Sequence, residues 1–125
     1  MNLLPPWPRR VWQALFWLQC AAVSVLMLMP RPPSSLDTGW DKMNHVLAFA
    51  GPALAGLLAR SRQGHVGAAG LLGALLLWGA ALELLQSQMP PRQGDPADLL
   101  ADAIGLLAGA LLYRSLRSVL RSADR

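Results

Sequence analysis

Most residues of this chain that could do chemistry stand in three short stretches of an otherwise apolar sequence. In GWDKMNHVLAFAG, Asp41 and His45 are four residues apart, which places both side chains on one face of a helix, and Lys42 follows the first. The second stretch is ELLQSQMPPR, which begins with Glu83, and the third is RQGDPADLLADAIG. A carboxylate beside an imidazole can do general acid–base chemistry, with His45 or Glu83 as the candidate base.

The same side chains could instead bind a metal ion. Carboxylate oxygens with one imidazole suit a hard divalent cation such as Mg²⁺, Ca²⁺ or Mn²⁺, although the spacing matches no specific metal motif. The candidate ligands are His45, Glu83, Asp98 and Asp102. No other cofactor is indicated, because the sequence has no phosphate-cradling loop and no dinucleotide fingerprint. Without a recognisable Ser/His/Asp order, whether the protein is an enzyme stays open.

Several of the acids also have a structural interpretation. A helix N-cap role accounts for Asp41 but not for His45, which lies one turn deeper and needs a partner. Asp95 followed by Pro96 predicts an N-cap with proline at the first helical position. Asp98 suits the first turn of the same helix, where an acid opposes the helix dipole.

Glu83 and Asp102 are harder to explain by local structure. Glu83 lies one to two turns inside an apolar run, where a carboxylate is costly unless it is paired, protonated or wetted. The structural alternative is a buried ion pair with Lys42 or Arg92 that fixes the helix register. Asp102 lies one turn deeper than Asp98 on the same helical face. We therefore expect a polar cluster at one end of a helical bundle, comprising Asp41, Lys42, His45, Glu83, Gln86, Arg92, Asp98 and Asp102.

The elements that must position this cluster are membrane helices. Hydrophobic residues make up 54% of the 125 residues and charged residues only 14%, which is typical of a membrane protein. Apolar runs over about 11–29, 42–59, 66–87 and 98–118 each approach the roughly 20 residues that cross a bilayer. The sequence thus predicts an all-α bundle of four transmembrane helices, one membrane domain over 1–125. Pro52 predicts a kink in the second helix.

Basic residues predict the orientation of this bundle. With a cytoplasmic N-terminus, eight arginines fall on the inner side and three basic residues on the outer side. Both termini are then cytoplasmic, and the polar cluster faces outward. The net charge of +4 is therefore interpreted as topology and attraction to the inner leaflet of the lipid bilayer, with no nucleic-acid partner.

Small residues predict how closely the helices pack. Ala101, Gly105 and Gly109 form a small-residue ridge along the fourth helix, where another helix can approach. A second ridge is expected on the third helix at Gly67, Gly70 and Gly73.

The motifs DKMNHVLAFAG, ELLQ and PPRQGDPADLLADAIGLLAG, in this order, resemble the VanZ-like family, small bacterial membrane proteins named for a teicoplanin-resistance protein. The likeness covers about 36–113. It carries over these positions: Asp41, Lys42, His45, Glu83, Gln86, Arg92, Asp98 and Gly105. It implies a multi-pass protein of the bacterial inner membrane and a link to lowered glycopeptide susceptibility. The chain departs from the family pattern at Asp102, where the family usually has Asn.

Three functions are consistent with these patterns. The first is a site that binds or modifies an outer-leaflet envelope lipid or a lipid-linked cell-wall intermediate. The second is a hydrolase or transferase with Glu83 or His45 as base. The third is a small accessory subunit whose polar groups only lock the helices together. The oligomeric state is not indicated.

Overall fold

The computed structural model describes residues 7–60, 67–91, 93–123 and 125. Within them the fold is all-helical, as expected from the apolar runs, and a short 3₁₀ turn at Ser34–Leu36 lies in the first connection. The four α-helices are α1 (Arg9–Leu28), α2 (Asp41–Ala59), α3 (Ala68–Ser87) and α4 (Pro96–Ala123). Helix α4 runs five residues beyond the expected end at 118, because its last turns combine apolar and basic residues without a helix breaker.

Three of these helices, α1, α3 and α4, are long and apolar enough to cross a membrane. Only 6% of the apolar window of α1 is buried inside the bundle, against 17% for α3 and 28% for α4. Most of their apolar side chains therefore face outward, where lipid is the solvent that suits them. Helix α2 begins with Asp41, Lys42, Asn44 and His45. These residues lower its hydropathy, although α2 holds more buried residues than any of the other three helices.

The helices alternate in direction. At one end, the Arg9 Nε donates a hydrogen bond to the Ala59 carbonyl at 2.7 Å, which joins the start of α1 to the end of α2. At the other end, the Gln86 side chain donates to the Met27 carbonyl at 2.6 Å. This second end, formed by the last turns of α1 and α3 and the first turns of α2 and α4, is called the polar end below.

Helix α2 lies at the centre of the bundle. It contacts α1, α3 and α4, with the most extensive contact to α4, whereas α1 and α4 do not contact each other in the described part of the chain. Phe49 on α2 is completely buried, and its ring centroid lies 5.0 Å from that of Trp78 on α3. Helix α2 continues as one helix through the buried Pro52. The polar side chains in its first turn are thus attached to the most enclosed element of the fold.

Glycines decide how closely α4 approaches α2. A methyl group added at Gly105 would collide with the Val46 carbonyl oxygen, and one added at Gly109 would lie 2.5 Å from the Ala50 carbonyl oxygen. Ala101, Gly105 and Gly109 are all buried. The small-residue ridge of α4 therefore lies against the α2 backbone, as its spacing led us to expect.

The second expected ridge, on α3, is wrong. Among the described residues, no atom lies within 4 Å of a methyl group added at Gly67 or Gly73. The buried face of α3 instead follows Leu75, Gly79 and Leu82, spaced four and three residues apart. Gly73 is two residues before Leu75, a rotation of about 200°, so it faces away from this side, and Gly67 precedes the first residue of α3.

Candidate functional site

Lys42 is the central cation of the polar end. Its Nζ donates hydrogen bonds to Asp95 Oδ2 at 2.6 Å and to Asp98 Oδ1, and it lies 3.9 Å from Asp41 Oδ2. Its side chain is 30% exposed, whereas that of Asp98 is 6% exposed. The ammonium group therefore compensates a buried carboxylate on α4 while remaining accessible to water.

Asp95 links three helices at this end. Its Oδ1 accepts a hydrogen bond from the Ala97 N–H at 2.9 Å, so it caps α4, and its own N–H donates to Glu83 on α3. With Pro96 as the first residue of α4, the N-cap prediction is confirmed. The ion pair with Lys42, followed by the capping bond, lowers the pKa of Asp95 below its usual value. No pattern in the sequence indicates that this capping residue also contacts α2 and α3.

The corresponding N-cap prediction for Asp41 is wrong. Trp40 precedes the first helical residue of α2, and no side chain among the described residues caps it. Asp41 is instead in the first helical turn, with its side chain 60% exposed. There its charge still opposes the helix dipole, and its carboxylate is accessible to a ligand.

His45 is held between two aspartates of α4. Its Nδ1 lies 2.7 Å from Asp102 Oδ1, and its Nε2 lies 3.6 Å from Asp98 Oδ2. His45 is 5% exposed and Asp102 is completely buried. A methyl group added at Gly79 would lie 2.9 Å from Asp102 Oδ2 and 2.8 Å from Phe49 Cε1. Gly79, which the sequence did not single out, therefore makes the space for this buried pair.

Glu83 and Gln86 form hydrogen bonds within the bundle. One oxygen of Glu83 accepts the Asp95 N–H, while Oε2 is buried without a hydrogen bond among the described residues. Gln86 is buried and donates to the α1 backbone at Met27, so its amide joins helices. Arg92 lies outside the described residues. Of the expected polar cluster, the structure brings Asp41, Lys42, His45, Glu83, Asp98 and Asp102 together around the first turns of α2 and α4.

The connection between α1 and α2 is tied to the same end. Asn44 donates to Asp37 Oδ1 at 2.8 Å and accepts the Thr38 N–H at 2.9 Å. These bonds fold the connection back over α2, with Gly39 at a positive φ of 81°. The Asn44 amide, followed by the Gly39 N–H, lowers the pKa of Asp37. This arrangement was not predicted from the sequence. The glycine of the dipeptide Thr38-Gly39, just before a helix, is the residue type that indicates such a turn.

A groove of about 350 Å³ lies between α1, this connection and α2. Its apolar wall includes Val23, Leu26, Met27, Leu36, Leu47 and Ala48. Its polar lining comprises Asp37, Thr38, Asp41, Asn44 and His45. Along α2 the lining passes from Asp41 through His45 to Ala48, from the exposed polar end toward the apolar part of the bundle. The groove is therefore amphipathic, with an acidic polar part and an apolar part.

The residues that lie close enough together to hold a cation differ from the expected ligands. Asp41, His45 and Asp98 each offer a ligand atom, and these atoms lie within 4.8 Å of one another. Asp102 is instead behind the imidazole, on Nδ1. The signal in the sequence was the four-residue spacing of Asp41 and His45, to which Asp98 is added only by the α2–α4 contact.

Comparison of the chain with family models, with curated proteins and with solved structures found no match.

Proposed function

We propose that the chain is a VanZ-like protein of the bacterial inner membrane, with α2 as a fourth span, both termini cytoplasmic and the polar end outward. The 19 residues of α2 extend about 28 Å, close to the thickness of the hydrocarbon core. Its polar first turn lies at the end of the bundle, where Lys42 is paired with Asp95 and Asp98 and His45 is buried. The excess of arginine at the opposite end supports the orientation, because basic residues are retained on the cytoplasmic side.

In this orientation the protein binds the headgroup of an outer-leaflet envelope lipid or a lipid-linked cell-wall intermediate at the polar end. The observation that carries this proposal is the amphipathic groove, whose apolar wall suits an acyl or polyprenyl chain. Its polar lining at Asp41 and His45 lies where the headgroup of such a molecule would be held. The His45–Asp102 pair could also accept a proton from a bound headgroup, so the proposal extends to modification of the lipid.

The test measures lipid binding to the full chain in detergent micelles by native mass spectrometry. Three probes separate the sources of a lipid headgroup: a polyprenyl phosphate, phosphatidylglycerol and phosphatidylethanolamine. The variant Ala48→Leu adds a bulky side chain to the groove wall. Ala108→Leu makes the same change at an exposed position of α4 and is the matched control.

We expect one probe to bind with a stoichiometry of one, weakened about tenfold or more by Ala48→Leu and unchanged by Ala108→Leu. Binding that is equal for all three probes and insensitive to Ala48→Leu would contradict the proposal. The resemblance to VanZ-like proteins adds a cellular readout, since loss of the chain is then expected to raise teicoplanin susceptibility.

A second function, a small accessory subunit, is favoured by the bonds of Gln86 and Glu83 inside the bundle. For such a protein the polar side chains only lock the helices, and Glu83→Ala lowers the amount of folded protein in the membrane. For a binding protein, the Asp41→Asn variant accumulates normally and loses lipid binding, because Asp41 is exposed and outside the core.

A further inference from the structure

We propose that Asp41, His45 and Asp98 form a binding site for a divalent cation of the first transition row, such as Zn²⁺ or Mn²⁺. One imidazole with two carboxylates is a mixed nitrogen and oxygen donor set, which suits these ions. The site binds a metal ion, whereas the proposed groove binds a lipid. None of the observations that support the metal site involves a lipid.

The orientation of His45 is the first observation that points to a metal ion. The imidazole is 5% exposed, and its Nδ1 lies 2.7 Å from Asp102 Oδ1. A neutral imidazole that donates Nδ1–H to this carboxylate presents the lone pair of Nε2 on its other side. Histidine ligands of metal ions almost always have such a carboxylate or carbonyl partner, which fixes the tautomer and the ring. Asp102 is thus a positioning residue for His45.

The surroundings of Nε2 are the second observation. Among the residues that the structure describes, no hydrogen bond is formed by Nε2, and it lies 3.6 Å from Asp98 Oδ2. Two ligands about 2.1 Å from a tetrahedral ion are about 3.4 Å apart, so this separation fits a shared ion. A carboxylate oxygen of Asp41 lies within 4.8 Å of a ring nitrogen of His45 and of a carboxylate oxygen of Asp98, and its exposed side chain can approach by rotating.

Charge at the polar end favours the same occupant. Five carboxylates gather there, on Asp41, Glu83, Asp95, Asp98 and Asp102. Within the described part of the chain, Lys42 is the one permanently charged cation in contact with them. It binds Asp98 through Oδ1, which leaves Oδ2 directed at His45. A divalent cation between Oδ2 and Nε2 would reduce this excess of negative charge.

The test measures metal bound to the chelator-treated full chain, in micelles without envelope lipid, by equilibrium dialysis against Zn²⁺ and, separately, Mn²⁺. Asp41→Asn removes a proposed ligand. Asp95→Asn is the matched control, since it removes an equally exposed carboxylate of the same end that also neighbours Lys42 and retains a good N-cap. Asp102→Asn tests the positioning of His45.

We expect one ion per chain for at least one of the two metals. Asp41→Asn should weaken binding about tenfold or more and Asp102→Asn about 10–100-fold, as for other partners of metal-bound histidines. Asp95→Asn should change the affinity less than about twofold, because Asp95 is not a ligand and its exposed charge is already paired with Lys42.

For Mn²⁺, pulsed electron paramagnetic resonance should detect coupling to an imidazole nitrogen. Binding below about one ion per five chains for both metals at micromolar concentration would overturn the proposal, since a built site binds more tightly. Equal weakening by Asp41→Asn and Asp95→Asn would also overturn the proposal. It would show that binding depends on the surface charge of the polar end and not on Asp41 as a ligand. Because no lipid is present, failure here leaves the proposed lipid site intact, and failure of lipid binding leaves the metal result intact.

Discussion

The contact between His45 and Asp102 joins α2 to α4 through a buried polar pair. The two atoms are 2.7 Å apart, and neither side chain is more than 5% exposed. In the VanZ-like pattern that the motifs resemble, this position is usually Asn, whose side-chain oxygen could also accept a hydrogen bond from Nδ1. In this chain the Asp102 carboxyl group holds Nδ1, so Nε2 is directed toward Asp98.

Asp102→Ala should lower the free energy of unfolding by about 1–3 kcal/mol, because it leaves a buried Nδ1–H without an acceptor. Asp102→Asn should cost less, since the amide keeps the acceptor and nearly the same volume. Denaturation of the purified protein in mixed micelles, followed by circular dichroism, measures both values. An Asp102→Asn variant that is as unstable as Asp102→Ala would show that the charge, and not the hydrogen bond, holds the pair together.

A glycine on α3 lets the backbone of this helix come close to the buried residues of the site. Gly79 lies against the Phe49 ring and Asp102 Oδ2, whereas Gly73, almost two turns away on the same helix, faces open space. A methyl group at Gly79 must displace either an aromatic ring of the core or one aspartate of the buried pair. Both are enclosed on all sides, so neither can move freely.

Gly79→Ala should therefore destabilise the bundle by about 1–3 kcal/mol, as overpacked cores do. Gly73→Ala is the matched control and should be neutral or stabilising by up to about 1 kcal/mol, because alanine favours a helix over glycine. The same denaturation measurement compares them. Equal stability of the two variants would contradict the described contact of α3 with α2 and α4.

The helices can be predicted from the sequence more completely than the contacts between them. The helices are predictable because each apolar run is bounded by proline, glycine or charge, and their observed starts at Arg9, Asp41, Ala68 and Pro96 lie within two residues of the expected ones. The face that α3 buries is not predictable, because its residues before Glu83 are apolar on every side and its glycines occur at several spacings. Helix α4 carries polar residues that mark its buried face, and its ridge at Gly105 and Gly109 could be identified.

The candidate site, too, is only partly predictable from the sequence. The alternating direction of four helices brings the starts of α2 and α4 together, so the meeting of Lys42 with Asp98 could be expected. The contacts of Asp95 with α2, α3 and α4 depend on the shape of the loop before α4. Local sequence patterns do not predict that shape. The spacing of Glu83 and Gln86 predicts that both join the polar cluster, but the Gln86 amide donates to the backbone of α1, a contact that helical spacing does not indicate.

For the molecule as a whole, the length of α4 supports the proposed orientation. Its 28 residues extend about 42 Å, against about 30 Å of hydrocarbon, so its last turns extend beyond the membrane. These turns carry Arg117 and Arg121, and Arg117 donates to the Tyr113 hydroxyl at 3.2 Å. A basic, amphipathic end of this kind suits the cytoplasmic surface.

Labelling of single cysteines in whole cells tests this orientation. In a Cys20→Ala background, a cysteine at Ser35, in the connection at the polar end, should react with a membrane-impermeant maleimide added outside. A cysteine at Ser122, near the end of α4, should react only after the membrane is permeabilised. The reverse pattern would place the polar end in the cytoplasm.

In the proposed function, the polar end of this bundle acts on one envelope lipid or lipid-linked intermediate. The most direct test compares the lipids and cell-wall precursors of the native host without the chain, complemented at equal expression with wild type, Asp41→Asn or Asp95→Asn. We predict that one species shifts in the deletion strain and is restored by wild type and Asp95→Asn but not by Asp41→Asn. Restoration by all three variants, or a lipid profile that does not change on deletion, would contradict the claim.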